Sequence, residues 1–358
     1  MKKLLMTPGP TNVPEEIRKK MAEDVIHHRM ADYKKLFSEV SEDLKQFFKT
    51  KQEVLTLTCS GTGVMEAAVV NLFSKKEKVL VINTGNFGQR FVDITTGYDL
   101  DVINLKYEWG TTYNLEDVKE IIQANPDLKG IFMTHSETST GVLNDIQSVG
   151  ALTKDTDILL VVDSVSGMVV NPLEFDAWSL DCVIAGSQKG FLLPPGLAFV
   201  TLSEKAKKAM ENSNLPKFYF DLKKYLKFLK EKEESPFTPA ITLVVGLKSA
   251  CDLILEDGLD NIQSRHTELR KYLGKELEKL GFEYFVEDEN ARGNTLVSVT
   301  HPEIEDLNKL RGIVDKNGVS LAGGQGSYAG KILRIGCLGK ITKTDIDRTI
   351  DEIKKNLI

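Results

Sequence analysis

The feature that most constrains the fold is a series of short apolar runs that alternate with helical stretches. The runs lie at 54–58, 79–82, 102–105, 131–134, 158–162, 182–185 and 197–202. Stretches with apolar residues at helical spacing separate several of them, for example residues 115–125. Strands that alternate with helices are typical of a mostly parallel, doubly wound sheet. The sequence therefore predicts an α/β fold whose large domain holds a seven-stranded type of sheet flanked by helices.

The pattern changes after about residue 205. Helical periodicity runs long between residues 240 and 280, and strands then alternate with helices again, ending with a helix from Thr344. Thr342 and Asp345 have the spacing of an N-cap signature for that last helix. A chain of 358 residues exceeds the usual size of one hydrophobic core. We therefore expect residues 257–358 to form a smaller C-terminal α/β domain.

Composition excludes several classes of protein. A net charge of −6 argues against a general nucleic-acid binder, because such proteins need a basic face. No apolar run approaches the roughly 18 residues that a membrane span needs. The apolar patch at the N-terminus is interrupted by Pro8 too early for a secretory signal, so we expect a cytoplasmic protein. The four cysteines are far apart and form no CxxC pair, which predicts neither a metal site nor a disulfide framework.

Two polar side chains follow apolar strands and suggest covalent carbonyl chemistry. Lys189 lies in the segment 185–190, which is rich in glycine and small polar residues. A lysine amine forms an imine with an aldehyde when burial lowers its pKa. Asp163 ends the apolar run 159–162. Ligands of open α/β sheets bind outside the carboxyl ends of the strands, so we expect both side chains in one cleft.

Four further segments lie where that cleft is expected. Ser60-Gly61-Thr62-Gly63 stands between a strand and a helix, where backbone N–H groups bind phosphate. Phe87, in the segment 83–90, is placed to stack on a planar ring. The segment 135–141 supplies hydroxyl groups. Arg334 lies within an apolar strand, where a guanidinium is costly to bury without an anion, and its planar fork suits a carboxylate.

These segments together resemble the class V, fold-type I aminotransferases that depend on pyridoxal 5′-phosphate (PLP). The resemblance is strongest to the alanine–glyoxylate and serine–pyruvate branch and covers nearly the whole chain. The segments that carry it are Thr7-Pro8-Gly9-Pro10-Thr11, Ser60-Gly61-Thr62-Gly63, Thr84-Gly85-Asn86-Phe87-Gly88, residues 135–141, Val162-Asp163-Ser164-Val165-Ser166, Gly186-Ser187-Gln188-Lys189-Gly190, Thr238-Pro239 and Arg334-Ile335-Gly336.

The resemblance implies roles for individual residues. Lys189 would be the Schiff-base lysine and the acid/base, and Asp163 would pair with the pyridine nitrogen. The other cofactor contacts would be Val165 and Phe87 on the two ring faces, Thr138 at the phenolic oxygen, and Thr62, Gly63 and Gln188 at the phosphate. Arg334 would bind the substrate carboxylate, and the Gly9 backbone would line the same site. The N-terminal segment 1–20 would thus contribute to the active site, and residues 21–256 would form the PLP-binding domain.

The resemblance also implies a homodimer with shared sites, because Thr238 would reach the phosphate held by the partner subunit. Two positions depart from the family pattern. Ser235 stands where close relatives have a phosphate-contacting tyrosine, and Val64 replaces a histidine that is common in the animal enzymes. The segment His27-His28-Arg29 resembles a family motif near the entrance of the active site, and a solvated helix end explains it equally well.

The predicted reaction is the transfer of an amino group from a small L-amino acid, serine or alanine, to a 2-oxo acid, pyruvate or glyoxylate. Related enzymes also use aspartate or aminoethylphosphonate. A cysteine desulfurase would need a nucleophilic cysteine on the loop before Arg334, and residues 322–328 contain none. A catalytically silent binding module is the alternative of another class, and such descendants commonly lose the lysine or aspartate that this chain retains.

Overall fold

The computed structural model describes residues 3–357. Its strands, numbered in chain order, are β1 (Leu4–Leu5), β2 (Val54–Leu57), β3 (Lys78–Asn83), β4 (Asp101–Lys106), β5 (Leu128–Thr134), β6 (Ser136–Glu137), β7 (Val142–Leu143), β8 (Leu159–Asp163), β9 (Cys182–Gly186), β10 (Ala198–Leu202), β11 (Glu283–Tyr284), β12 (Leu296–Thr300), β13 (Val319–Ser320), β14 (Ala322–Gly323) and β15 (Leu333–Gly336).

The α-helices are numbered in the same way. They are α1 (Glu15–Met21), α2 (Ala31–Phe48), α3 (Gly61–Leu72), α4 (Asn86–Gly97), α5 (Leu115–Ala124), α6 (Ile146–Thr153), α7 (Glu204–Met210), α8 (Leu222–Lys232), α9 (Ile241–Asp257), α10 (Leu259–Glu278), α11 (Leu307–Lys316) and α12 (Lys343–Asn356).

The large sheet has seven strands in the order β2-β10-β9-β8-β5-β3-β4. Strand β10 runs antiparallel to both of its neighbours, and the other adjacent pairs are parallel. Six strands therefore point the same way, and their carboxyl ends lie along one edge. Strands β8, β9 and β10 are buried along their whole length, which fits the continuous apolar runs in the sequence. The predicted α/β fold with a mostly parallel sheet is confirmed.

A second, antiparallel sheet has the order β11-β12-β15-β14 and carries Arg334 on β15. Apolar residues of α10, α11 and α12 form one core with this sheet. Helix α12 begins with the predicted capping box, in which the Thr342 and Asp345 side chains each accept from the other's backbone N–H. The chain's N-terminal part joins this region, because β1 pairs with β13 and Met6 is buried in the same core.

The long helical stretch predicted between residues 240 and 280 is interrupted. Helix α9 ends at Asp257, α10 begins at Leu259, and Gly258 between them has a φ of 80°. That left-handed backbone conformation is easily adopted only by glycine. Apolar periodicity continues on both sides of the break, so the pattern alone does not mark it. The predicted domain boundary at 256/257 lies beside this break and stays a prediction.

Two further observations concern residues 3–357 only. No helix in this range is long and apolar enough to cross a membrane. No group of three His, Cys, Asp or Glu side chains in this range is arranged to bind a metal ion. The four cysteines carry free thiols, and three of them are buried in the apolar cores while Cys59 is half-buried.

Candidate active site

A cavity of about 260 Å³ lies at the carboxyl edge of the large sheet. Segments that follow β2, β3, β5, β8 and β9 line it, together with the N-terminal segment. The lining residues are Gly9, Pro10, Ser60, Gly61, Thr62, Met65, Phe87, Arg90, Ser136, Thr138, Asp163, Val165, Ser166, Gln188, Lys189 and Pro195. The fold thus brings together most of the side chains that the sequence suggested.

Lys189 enters the cavity from the loop after β9. Its side chain is buried, and Nζ donates a 2.5 Å hydrogen bond to the carbonyl oxygen of Pro8. Burial lowers the pKa of Lys189 to about 8, the negative charge of Asp163 partly opposes this effect, and the positive charge of Arg334 adds to it. A primary amine with such a pKa has a substantial unprotonated fraction near neutral pH, as a nucleophile requires.

The N-terminal segment closes over this lysine. Gly9 has a φ of 125°, and a β-carbon at this position would lie 2.5 Å from Cδ and Cε of Lys189. Only glycine satisfies both conditions. The backbone N–H of Thr11 donates to the carbonyl oxygen of Gln188 at 3.2 Å, which ties the segment to the lysine loop. The structure therefore places the Gly9 backbone on the cavity wall against Lys189, and its contact with substrate stays a prediction.

Asp163 ends β8 with one carboxylate oxygen, Oδ1, accepting a 2.8 Å hydrogen bond from the backbone N–H of Val165. Burial raises the pKa of Asp163 to about 6, the Val165 N–H opposes the shift, and the negative charge of Glu137 adds to it. The positive charges of Lys189 and Arg90 also oppose the shift, but the carboxylate forms no salt bridge within residues 3–357, and a positively charged ligand atom would relieve the remaining cost of its burial. Val165 packs beside Gly61 and Gly186 on the cavity wall.

Phe87 is the second residue of α4, and its side chain lines the cavity. Its position is fixed from outside the helix by Glu137, which is fully buried. The Glu137 carboxylate accepts from the backbone N–H groups of Phe87 and Gly88, each at 3.0 Å, and from that of Ser139 at 3.1 Å. Gly85 allows this approach, because a β-carbon there would lie 2.5 Å from Cγ of Glu137.

The hydroxyls of Thr138 and Ser166 lie 2.5 Å apart on the cavity wall. The backbone of Thr138 connects the cavity to the small sheet, since its carbonyl oxygen accepts from Nη1 of Arg334 at 2.7 Å. Nε of Arg334 donates to the carbonyl oxygen of Gly323 at 2.8 Å. Burial lowers the pKa of Arg334 to about 10, and within residues 3–357 the guanidinium forms no salt bridge. The negative charge of Glu137 partly opposes this lowering, and Arg334 does not itself line the cavity but reaches its wall through the backbone of Thr138.

The start of α3 has the geometry of a phosphate cradle. Gly61 and Thr62 line the cavity, and the first N–H groups of a helix have no partner within it. The backbone N–H of Gly63 is less available for a phosphate than predicted, because it donates to Oγ of Ser60 at 3.1 Å. Gln188 lines the cavity, and its Oε1 is buried without a hydrogen-bond partner within the described part of the chain.

Thr238 is exposed and does not line the cavity of its own chain. The neighbouring Ala240 N–H donates to Oγ1 of Thr58 at 2.9 Å, so the loop lies beside the start of the cradle. Ser235 cannot replace a tyrosine contact as it stands, because its hydroxyl donates to the carbonyl oxygen of Phe237 at 2.8 Å. Val64 is fully buried in the apolar core and offers the cavity nothing polar.

Some lining residues had no role in the sequence interpretation. Ser166 belongs to the segment 162–166, which follows a strand, and Arg90 to the segment 83–90, which leads into a helix. These positions were the only signal in the sequence that the two residues reach the cavity. Pro195 gave none, since it reaches the cavity only through the turn that returns from Lys189 to β10. The entrance motif is anchored by Arg29, which donates to Glu234 and, at 2.9 Å, to the carbonyl oxygen of Ser235.

A larger cavity of about 620 Å³ lies between α9, α10 and residues 339–343. Its wall is mostly apolar, and most charged groups on its rim are already paired: Arg265 with Asp257, Lys340 with Glu16 and Lys343 with Asp347, which leaves Glu256 without a salt bridge within residues 3–357. It lacks a convergent set of unpaired polar groups. The smaller cavity is therefore the candidate active site.

Comparison with known proteins agrees with this geometry. The family model described as aminotransferase class-V matches residues 4–348. The chain belongs to the class-V aminotransferase family. It is 42% identical to an uncharacterized aminotransferase of Methanocaldococcus jannaschii, over 98% of this chain and 91% of the relative. It is 32% identical to the serine–glyoxylate aminotransferase of Methylorubrum extorquens, over 99% of this chain and 90% of that enzyme.

A similar solved structure is the alanine–glyoxylate aminotransferase of a Nostoc species. It superimposes with a TM-score of 0.96 at 28% identity and covers all of this chain, which covers 96% of the solved one. Such agreement along the whole chain confirms the fold-type I architecture. The protein is an aminotransferase, and its cofactor is PLP.

The cavity residues fit this cofactor. A buried amine of lowered pKa suits the aldehyde, and an unpaired buried carboxylate suits the protonated ring nitrogen. Phe87 and Val165 offer apolar surfaces for a planar ring, and the start of α3 offers free N–H groups for the phosphate. The orphan amide of Gln188 becomes a donor to the same phosphate if its oxygen and nitrogen positions are exchanged.

Proposed function

We propose that this aminotransferase moves the amino group of a small L-amino acid, serine or alanine, to a small 2-oxo acid, with glyoxylate as the preferred acceptor and pyruvate as the second. The observation that carries the proposal is Arg334, a buried arginine held only by the carbonyl oxygens of Gly323 and Thr138. The negative charge of Glu137 acts on this guanidinium, but the two form no salt bridge within residues 3–357, and a planar cation behind the cavity wall suits the carboxylate common to these substrates.

The size of the cavity supports a small side chain. Sites that enclose drug-sized ligands usually have roughly 300–1,000 Å³. This cavity has about 260 Å³ before any cofactor is bound, so little volume remains for the substrate beyond its reacting atoms. The names of the relatives agree on glyoxylate as the acceptor, while the donors that they name are serine, alanine and aspartate.

The chain's own residues have distinct roles in this proposal. Lys189 would hold the cofactor covalently and then carry a proton between the substrate Cα and the cofactor. Asp163 would keep the ring nitrogen protonated, and Phe87 and Val165 would fix the ring plane. Thr62, Gln188 and, to a lesser extent, Gly63 would hold the phosphate, and Thr138 the phenolic oxygen. Bound PLP supplies an electron sink for the pair released when the Cα–H bond breaks.

The same cavity argues against desulfurase chemistry. That reaction needs a nucleophilic thiolate near the substrate. Residues 322–328 contain no cysteine. Cys337 is fully buried, and burial raises the pKa of its thiol to about 12, so it packs as an apolar side chain.

We also propose a homodimer with shared active sites. Thr238 is exposed and lies outside the cavity of its own chain. Large apolar side chains on nearby segments are exposed, with 69% for Val25, 61% for Met30 and 75% for Phe218. Arg29 joins the segment of Val25 and Met30 to the loop of Thr238. A second copy covering this surface would bury the apolar groups and bring Thr238 to the partner's phosphate. The cytoplasmic location expected from the sequence stays a prediction.

The test is a screen of half-reactions on the purified, cofactor-loaded enzyme. Each L-amino acid is added alone, and the loss of the visible absorption of the bound cofactor is followed. We expect serine or alanine to give the largest rate constants, and glyoxylate to restore the absorption fastest. A rate constant for aspartate at least tenfold above both would overturn the donor assignment. Lys189→Ala is the control, and full turnover by that variant would overturn the role of Lys189.

A further inference from the structure

Arg90 is a cation at the cavity wall, and its charge lowers the pKa of the nearby Asp163 carboxylate, against the effect of burial. It lies one turn after Phe87 on α4, and its guanidinium carbon is 4.6 Å from the centre of the Phe87 ring. Nη1 donates to Oγ1 of Thr62 at 2.9 Å. Within residues 3–357 it forms no salt bridge. A hydroxyl group does not neutralise a guanidinium, so the positive charge remains available.

The position of this charge indicates which ligand atom it serves. Thr62 is the second residue of α3, and the unpaired N–H groups of Gly61 and Thr62 already favour an anion at this end of the cavity. Arg90 joins that end through its bond to Thr62. Arg334 approaches instead through Thr138. Arg334 does not line the cavity, whereas Arg90 does and stands at the phosphate cradle.

The chain also departs from relatives at two positions, and one of them, Ser235, stands where close relatives have a phosphate-contacting tyrosine. The side chain at position 64 is a valine buried in the apolar core, and the hydroxyl of Ser235 is engaged within its own loop. The N–H of Gly63 is taken by Ser60. Fewer donors thus remain for a group that carries close to two negative charges.

We propose that Arg90 binds the phosphate of the cofactor and supplies positive charge at a cradle that has lost other donors. This inference rests on the proposed placement of PLP in the cavity. On binding, the guanidinium would keep its contact with Phe87 and donate to a phosphate oxygen, with Thr62 as its neighbour. A charge-assisted, planar donor of this kind is stronger than a neutral one.

The test compares PLP with pyridoxal, which has the same ring and aldehyde but no phosphate. Dissociation constants for both are measured on the cofactor-free wild-type protein, Arg90→Gln and Arg90→Lys. We expect Arg90→Gln to raise the dissociation constant of PLP by about 10- to 100-fold, as for the loss of other charged hydrogen bonds, and that of pyridoxal by less than about threefold. Arg90→Lys should recover part of the loss for PLP, because the charge is retained.

Two further variants serve as controls. Phe87→Leu should weaken the binding of both PLP and pyridoxal by more than about threefold, since it removes the ring expected to stack on either compound, whereas Arg90→Gln should spare pyridoxal. Arg18→Gln removes an exposed arginine on α1 and should change neither constant. Thermal unfolding of the cofactor-free variants checks that each is folded. If Arg90→Gln unfolds, Arg90→Lys and Arg90→Met carry the same comparison of the two ligands.

The outcomes separate this inference from the proposed function. Equal losses for PLP and pyridoxal in Arg90→Gln would mean that Arg90 acts only by holding Phe87, and would overturn the inference. An unchanged constant for PLP with a raised KM for aspartate alone would overturn it in favour of a substrate contact. A wild-type protein that binds neither compound would overturn the placement of PLP itself.

Discussion

The buried carboxylate of Glu137 accepts a 3.0 Å hydrogen bond from the backbone N–H of Phe87. Helix α4 has no side-chain cap of its own, because its N-cap residue is Gly85. Glu137 comes from β6, on a different part of the chain, and takes that place. The charge of Glu137 forms no salt bridge within residues 3–357, so the start of α4 and the neighbouring N–H groups hold it. The ring expected to stack on the cofactor is thus positioned by a residue that does not line the cavity.

Replacing Glu137 by glutamine should therefore loosen Phe87. The amide retains one acceptor oxygen and turns its NH₂ group toward N–H donors, which leaves at least one buried donor unpaired. We expect a loss of about 1–3 kcal/mol in the free energy of unfolding and a weaker binding of PLP. Urea denaturation of the cofactor-free protein and titration with PLP measure the two effects. Glu39→Gln, an exposed site on α2, should change stability by less than about 0.5 kcal/mol. Equal stability of the two variants would refute the capping role.

The pKa of Lys189 predicts how the cofactor-free protein captures PLP. The amine is reactive only when unprotonated, and burial lowers its pKa to about 8. The rate of capture should rise between about pH 7 and 9 and then level off. A lysine with the ordinary pKa of 10.5 would give a rate that still rises at pH 10. The growth of the visible absorption band after mixing gives the rate, and Lys189→Arg should show no such band. A rate that keeps rising past pH 10 would contradict the lowered pKa.

The buried negative charge of Asp163 should lower the free energy of unfolding of the cofactor-free protein near neutral pH. Its pKa is raised from 3.8 to about 6, so the folded state binds the proton more tightly than the unfolded state does. The stability that the protonated carboxyl contributes to the folded state is fully present below about pH 4 and is lost as the pH rises through about 6. Asp163→Asn removes the buried charge and keeps the acceptor for the Val165 N–H. We expect this variant to be more stable than wild type by roughly 1–3 kcal/mol at pH 8 and equally stable at pH 4.

The same substitution should abolish most of the activity, because a neutral amide cannot keep the ring nitrogen protonated. We expect a fall in kcat of at least about 100-fold with PLP still bound. Denaturation at the two pH values and half-reaction rates with serine measure these effects. A variant that is less stable than wild type at pH 8 would show that the carboxylate has a stabilising partner and that its charge is not buried at a cost.

The sequence predicted the parts of this site that depend on strand order. Lys189, Asp163, Phe87 and Thr138 each follow a strand, and parallel strands end at one edge. The contacts between these segments were not predictable in the same way. Whether Glu137 caps α4, whether Ser60 occupies the N–H of Gly63, and whether Arg90 reaches Thr62 depend on packing between elements that are distant in the chain. The role proposed for Thr238 requires a second copy of the chain, whose position no pattern within one chain describes.

Two glycines in small-domain helices offer a test of packing and of the proposed domain boundary. A β-carbon at Gly274, in the middle of α10, would lie 1.4 Å from the hydroxyl oxygen of Tyr284. The tyrosine would have to move away from its position over Arg292. Gly312, in α11, is exposed, and a β-carbon there would meet no atom within 4 Å. The same substitution therefore has opposite consequences at the two positions.

We expect Gly274→Ala to destabilise the protein by about 1–3 kcal/mol through overpacking, and Gly312→Ala to stabilise it by about 0.5–1 kcal/mol by favouring the helix. Urea denaturation followed by far-UV circular dichroism compares them. If residues 257–358 form a domain that unfolds by itself, both substitutions should displace one transition and leave the other in place. A single transition that moves with either substitution would instead mean that the two regions unfold together, because the core of α10 continues from that of α9 across Gly258.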